Sequence, residues 1–236
     1  MNAPASGSTW ALRLHAACDW ILWAMTLNVL WLVFTLAGAV VLGAAPASVA
    51  AAHVTRRRLR GESFPVWREF ADTWRREFRG AHIVVTPALI VATLLLLQSV
   101  AAVRRDAFGS PLDVLLVTAA AIATIVTTIL VPLYVHYDLP RRAYLPTASR
   151  WMLRNLAHAL LLAAAATLVV TASAVVPGLI PFVSIGAWLS ISTALCVAFF
   201  AANDRAVIER RESGSAAGRP HTAADPRPAA SPARAL

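Results

Sequence analysis

His136, Tyr137 and Asp138 form a dense group of polar and ionisable side chains at the end of an apolar run, with Tyr134, Arg141 and Arg142 close by. An imidazole and a carboxylate in that setting could relay a proton or serve as general acid and base on a lipid-borne substrate. The competing reading is an interface anchor, because Tyr and charged residues collect where a span leaves the bilayer. Adjacent helical residues also point about 100° apart, so the sequence alone does not aim this group at one atom.

Asn28 is the most notable polar residue inside the first apolar run. An amide in hydrocarbon is costly unless it is hydrogen-bonded, so it is expected to face another helix, with Trp31 packing one turn away. Its functional reading is a substrate or regulatory contact; its structural reading is an interhelical bond. His53, His82 and His158 lie near expected membrane edges, and none has a second ligand three or four residues away. Cys18 and Cys196 show no metal-ligand spacing such as Cys-x-x-Cys and read as small apolar fillers. No nucleophile motif, phosphate-cradling glycine loop or paired intramembrane carboxylate is evident. The chain is therefore read as non-enzymatic, with no catalytic residue, metal or cofactor assigned.

The elements that hold these residues follow from composition. Hydrophobic residues make up 58% and charged residues 14%, against about 45–50% and about 25% in soluble domains. Lipid as solvent explains the excess. All 21 basic residues are arginine, which leaves no lysine for Schiff-base or general-base chemistry. The pI of about 11.3 would suit nucleic acid, but membrane topology accounts for the arginines and no nucleic-acid partner is expected.

Five uncharged stretches reach the roughly 20 residues that cross a bilayer: about 20–45, 81–103, 114–137, 155–176 and 178–202. They lack the alternation of barrel strands, so the fold class is an all-α polytopic membrane protein with five transmembrane helices. With alternating connections, eighteen arginines fall on one face and three on the other. The positive-inside rule makes the richer face cytosolic, with the N-terminus outside and the C-terminus inside the cytoplasmic membrane. Residues 1–208 read as one membrane domain. The Ala/Pro/Ser/Arg-rich segment 209–236 reads as a disordered cytosolic tail. Ser110-Pro111-Leu112-Asp113 carries a Ser cap, Pro at the first helical position and Asp three residues on.

Phe64, Trp67, Phe70, Trp74 and Phe78 are spaced to share one face of a helix over about 64–79, with charged residues around the rest. Ser63 is the expected cap. Such a helix suits the cytosolic headgroup boundary and anionic lipid; the alternative is packing beneath the bundle or docking a partner. Gly43, Ala47 and Ala51 repeat a small residue every fourth position across Pro46, which permits close helix approach. A straight helix from Trp20 to Arg56 would be about 55 Å long, so a break is expected near Gly43–Pro46.

Asn28-x-x-Trp31-x-x-Phe34, then Gly38, Gly43 and Pro46-Ala47-Ser48-x-Ala50 resemble the YesL-like family of bacterial integral membrane proteins. Gly61-Glu62, Phe70, Phe78 and Pro132-Leu-Tyr134-x-x-Tyr137 extend the likeness; its specific part covers about residues 20–80. Ala45 departs from the family's usual Gly. The resemblance implies a small cytoplasmic-membrane protein without an established activity. Through gene neighbourhood it also implies an accessory or regulatory role in carbohydrate uptake, with a sugar ABC transporter or another membrane protein as partner. The alternatives are a small transporter or channel acting as a homo-oligomer, and a membrane enzyme acting on a lipid-borne substrate.

Overall fold

The computed structural model describes residues 7–105 and 109–217, and among these residues every regular element is helical. The helices are α1 (Gly7–Ala37), α2 (Val41–Leu59), α3 (Val66–Val84), α4 (Thr86–Val103), α5 (Pro111–His136), α6 (Tyr144–Arg154), α7 (Leu156–Val175) and α8 (Ile185–Ala217). A short 3-10 turn, Arg141–Ala143, precedes α6, and a π-helical turn, Ile180–Ser184, leads into α8. Among the described residues, five helical segments are long and apolar enough to cross a membrane: Trp10–Ala37, Thr86–Val103, Pro111–His136, Leu156–Val175 and Pro181–Ser213.

The first expected span does not run on to an arginine cluster at its far end. α1 stops at Ala37, and α2 folds back along it. Trp31 of α1 donates to Ser48 of α2, and nearer the open end Asp19 meets Arg58. The contacts move down α1 as they move up α2, which defines an antiparallel hairpin. Asp19 and Arg58 therefore share one end of it, where the sequence reading set them on opposite faces of a membrane. This arrangement contradicts the single crossing drawn from Trp20 to Ala45.

The break also lies earlier than Gly43–Pro46. It falls at Gly38–Val40, where Ala39 and Val40 take positive φ of 55° and 63°. That conformation is unfavourable for a residue with a Cβ and worse for a β-branched one, so packing must hold it. Gly43 shows how: a Cβ there would come within 2.7 Å of Phe34 O and nearer still to Thr35. Pro46 sits inside α2, fully helical and buried.

The small face of α2 is consumed in this hairpin. Ala47, Ala50, Ala51 and Val54 pack with Trp23, Leu27, Leu30 and Phe34 of α1 and with Phe70 of α3, all buried. α3 starts at Val66, with Pro65 in the cap position and no side-chain cap from Ser63. It runs five residues beyond the expected limit of 79, and α4 begins at Thr86, not at 81. The Ser110 cap is formed in full: Ser110 Oγ accepts from Asp113 N at 3.2 Å, and the Asp113 carboxylate accepts from Ser110 N at 3.0 Å.

α6 was not anticipated. Tyr144, Ala148 and Met152 form its buried face, a four-residue spacing that reads as a helix once sought. α7 and the start of α8 are antiparallel, as His158 stacked on Phe199 (centroids 4.1 Å apart) and the Ser173–Ser184 hydroxyl pair at 2.6 Å both require. By packing, residues up to Phe199 form one unit and those from Phe200 a second, of which 200–217 are described and helical. Residues 209–217 of the expected tail thus continue α8; the remainder lies outside the described residues.

Candidate functional site

Polar side chains from α2, α3 and α5 converge on a cavity of about 400 Å³ lined by His53, Thr73, Arg76, Glu77, Tyr134 and Asp138, among others. Helical spacing on two facing helices builds it. His53 and Arg57 lie one turn apart on α2, and Glu69, Thr73 and Glu77 lie at successive turns of α3. His53 Nε2 donates to Glu69 Oε1 at 3.0 Å, and Arg57 holds Glu69 Oε2 at 2.7 Å. Arg57 also pairs with Glu62 at 2.6 Å and lies over the Phe64 ring at 4.6 Å.

Burial pushes the His53 imidazole below its usual value and outweighs the raising effect of Glu69. Glu69 is acted on by burial in the opposite sense, but hydrogen bonds from Arg57 and His53 together hold its carboxyl below the ordinary range. A neutral imidazole donating to a carboxylate that an arginine also binds is the pairing these shifts describe.

On the α5 side, Tyr134 donates to Glu77 Oε2 at 2.9 Å, and Arg76 pairs with Glu77 Oε1 at 3.2 Å. Gly80 permits this approach, since a Cβ there would collide with the Tyr134 hydroxyl. Arg56 donates to Val135 O at 2.9 Å, which ties the end of α2 to the end of α5. Tyr144 donates to Tyr137 O at 2.9 Å and accepts from Leu139 N at 3.1 Å, fixing the loop that carries Asp138. His136 and Asp138, singled out in the sequence, therefore do line one cavity. Glu69, Glu77, Arg57 and Arg76 were missed as its partners. The signal was the matched four-residue spacing on α2 and α3.

Asn28 lies elsewhere and is fully buried. Its Nδ2 donates to Pro181 O at 2.5 Å, and its Oδ1 accepts from Ile185 N and Gly186 N at 3.1 Å each. One amide thus satisfies backbone groups that the π turn and the first turn of α8 leave open. Gly186 makes room: a Cβ there would strike Ala24 O and Asn28 N. Trp31 donates to Ser48 Oγ at 3.0 Å, while Gly43, Pro46 and Ala47 are buried in the hairpin.

The aromatic residues of α3 divide. Phe70 is fully buried, Trp67 is 56% exposed, and Phe64, Trp74 and Phe78 are half-buried. Phe34 of α1 gathers Trp67, Phe70 and Trp74 at centroid distances of 5.4, 5.1 and 5.5 Å. The aromatic stripe is thus in large part an internal seam. Arg68, Asp72, Arg75 and Arg79 stay exposed along a second stripe.

A family model described as a protein of unknown function, DUF624, matches residues 24–98, from the body of α1 into α4. The uncharacterized protein YesV of Bacillus subtilis (strain 168) is 34% identical over 140 residues, covering 57% of this chain and 66% of YesV. YesL of the same organism, also uncharacterized, is 31% identical over 134 residues, covering 56% of this chain and 63% of YesL. The uncharacterized YteU is 24% identical over 174 residues, with 73% and 78% covered. The matches thus span just under two thirds of YesV and YesL. No solved structure matches the chain. The matched region contains the hairpin, Asn28, the arginine cluster and α3, and over that region the chain is similar to the YesL-like uncharacterised proteins.

Proposed function

We propose that this is a non-catalytic protein of the cytoplasmic membrane that docks a membrane partner through α3 on the cytosolic side. The observation that carries the reading is the division of α3 into two stripes. Its aromatic side is locked onto Phe34 of α1 and onto α2, so the helix is rigidly presented; Arg68, Asp72, Arg75 and Arg79 are left facing outward with an excess of positive charge. Such a stripe suits anionic headgroups, an acidic protein surface, or both at once. A sugar ABC transporter is the partner class the family resemblance implies, with an accessory or regulatory role in carbohydrate uptake.

The hairpin supports a revised sidedness. If the arginine cluster of α2 is cytosolic, the segment before Asp19 is cytosolic too, because Arg58 and Asp19 touch. Arg13 then joins the positive face, leaving Arg104 and Arg105 alone on the other, a sharper asymmetry than the N-outside reading gave. Both termini are then cytosolic, with α2 as the return crossing in addition to the five candidate spans.

The test is affinity recovery from native membranes. Wild-type protein is expected to retain a transporter subunit, and Arg68→Glu/Arg75→Glu/Arg79→Glu to lose it while keeping its membrane insertion. Recovery of the isolated protein alone would overturn the proposal. The polar cavity favours a second reading, an enzyme acting on a lipid-borne substrate. In that case His136→Ala and Asp138→Asn each abolish function, and normal complementation by both removes it.

A further inference from the structure

A second cavity, of about 230 Å³, lies where α2, α4, α5 and α8 meet Trp31 of α1. Apart from Ser48 of α2, its lining belongs to segments apolar and long enough to cross a membrane. None of the side chains lining it is ionisable, so a charged ligand would lose its hydration without compensation.

The hydroxyls of the lining fall into two groups. Ser48, Thr127 and Ser192 are bonded to carbonyls of their own helices, Ala44 O and Ala123 O at 2.8 Å each and Leu189 O at 3.3 Å, and Thr127 also reaches Ala88 O of α4 at 3.3 Å. Thr93, Thr124, Thr128 and Thr193 form no hydrogen bond among the described residues. Such hydroxyls in hydrocarbon seek an acceptor. Trp31 and Trp188 add flat apolar walls, and the indole N–H of Trp31 is already spent on Ser48. At about 30 Å³ per water molecule, the space holds a ring or a short chain segment but not a whole phospholipid.

We propose that this cavity binds a neutral, membrane-dissolved amphiphile. Its oxygen, carbonyl or alcohol, accepts from the threonine hydroxyls, and its apolar body lies between Trp31 and Trp188. The site is separate from the docking face of α3 and does not depend on it.

The experiment is photolabelling of the full chain in phosphatidylcholine vesicles with a tritiated, diazirine-bearing octanol. Labelling is expected to be saturable, to fall on Trp31, Thr124, Thr128 and Trp188, and to be displaced by excess octanol but not by octyl sulfate or octyltrimethylammonium. Thr124→Val/Thr128→Val keeps the shape and removes the donors; labelling should drop about tenfold, the scale of a lost hydrogen bond, with an unchanged melting temperature. Ala92→Phe fills the space and should abolish labelling; if that variant does not fold, the valine pair decides. Unsaturable labelling spread over lipid-facing residues, equal displacement by the charged octyl compounds, or full labelling of the valine pair each overturns the proposal.

Discussion

Arg58 of α2 closes on Asp19 of α1, 39 residues earlier in the chain, and lies over the Trp20 and Trp23 rings at 5.3 and 4.5 Å. This contact fixes the open end of the α1–α2 hairpin as the Phe34–Phe70 contact fixes its other end. Together they hold α3 in place and so determine which of its residues face outward.

Phe70→Ala should therefore be costly and Trp67→Ala mild. Phe70 is fully buried in the seam, and truncating such a ring costs about 3–5 kcal/mol. Trp67 remains 56% exposed, and its loss should cost less than about 1 kcal/mol. Denaturation of detergent-solubilised protein measures both, and equal effects would contradict the packing described.

Asn28→Leu should destabilise by about 3 kcal/mol. It strands Pro181 O, Ile185 N and Gly186 N, which Asn28 satisfies, and an unsatisfied buried group costs about 1–3 kcal/mol. Gly186→Val should do similar damage by steric clash. An unfolding midpoint for Asn28→Leu equal to that of the wild type would show that these bonds are not made.

Stability should fall steadily on acidification. His53 and Glu69 both have folded values below their usual 6.5 and 4.5, so the unfolded chain binds more protons and stability rises with pH. The His53 contribution is complete above pH 6.5 and is lost as pH falls below it; that of Glu69 is complete above 4.5 and is lost below that. Melting curves from pH 7.5 downward should show the first step in wild type and lack it in His53→Gln. A wild-type midpoint that rises on acidification would refute the assignment.

Some of this was legible in the sequence. Ser110 and Asp113 are a local signal and form the cap expected of them, and the aromatic spacing of α3 specifies a helix whatever its surroundings. Asn28 announced a partner without naming it, because Pro181 and Gly186 lie more than 150 residues away. The hairpin turn was hidden. Ala39 and Val40 carry no turn preference and are forced to positive φ by the close approach of Gly43 to Thr35, a tertiary cause. Pro46 supplied a local breaking signal that the buried interior of α2 overrides. The polar cavity needed two helices in register before His53 and Glu69 could be seen as neighbours.

Cysteine accessibility tests the hairpin and its sidedness together. Cys18 is exposed beside Asp19, and Cys196 is buried. In intact cells treated with a membrane-impermeant maleimide, Cys18 and an Arg60→Cys variant should both stay unlabelled and both react after permeabilisation, while Ser110→Cys labels from outside. Labelling of Cys18 in intact cells, with Arg60→Cys still protected, would contradict the account.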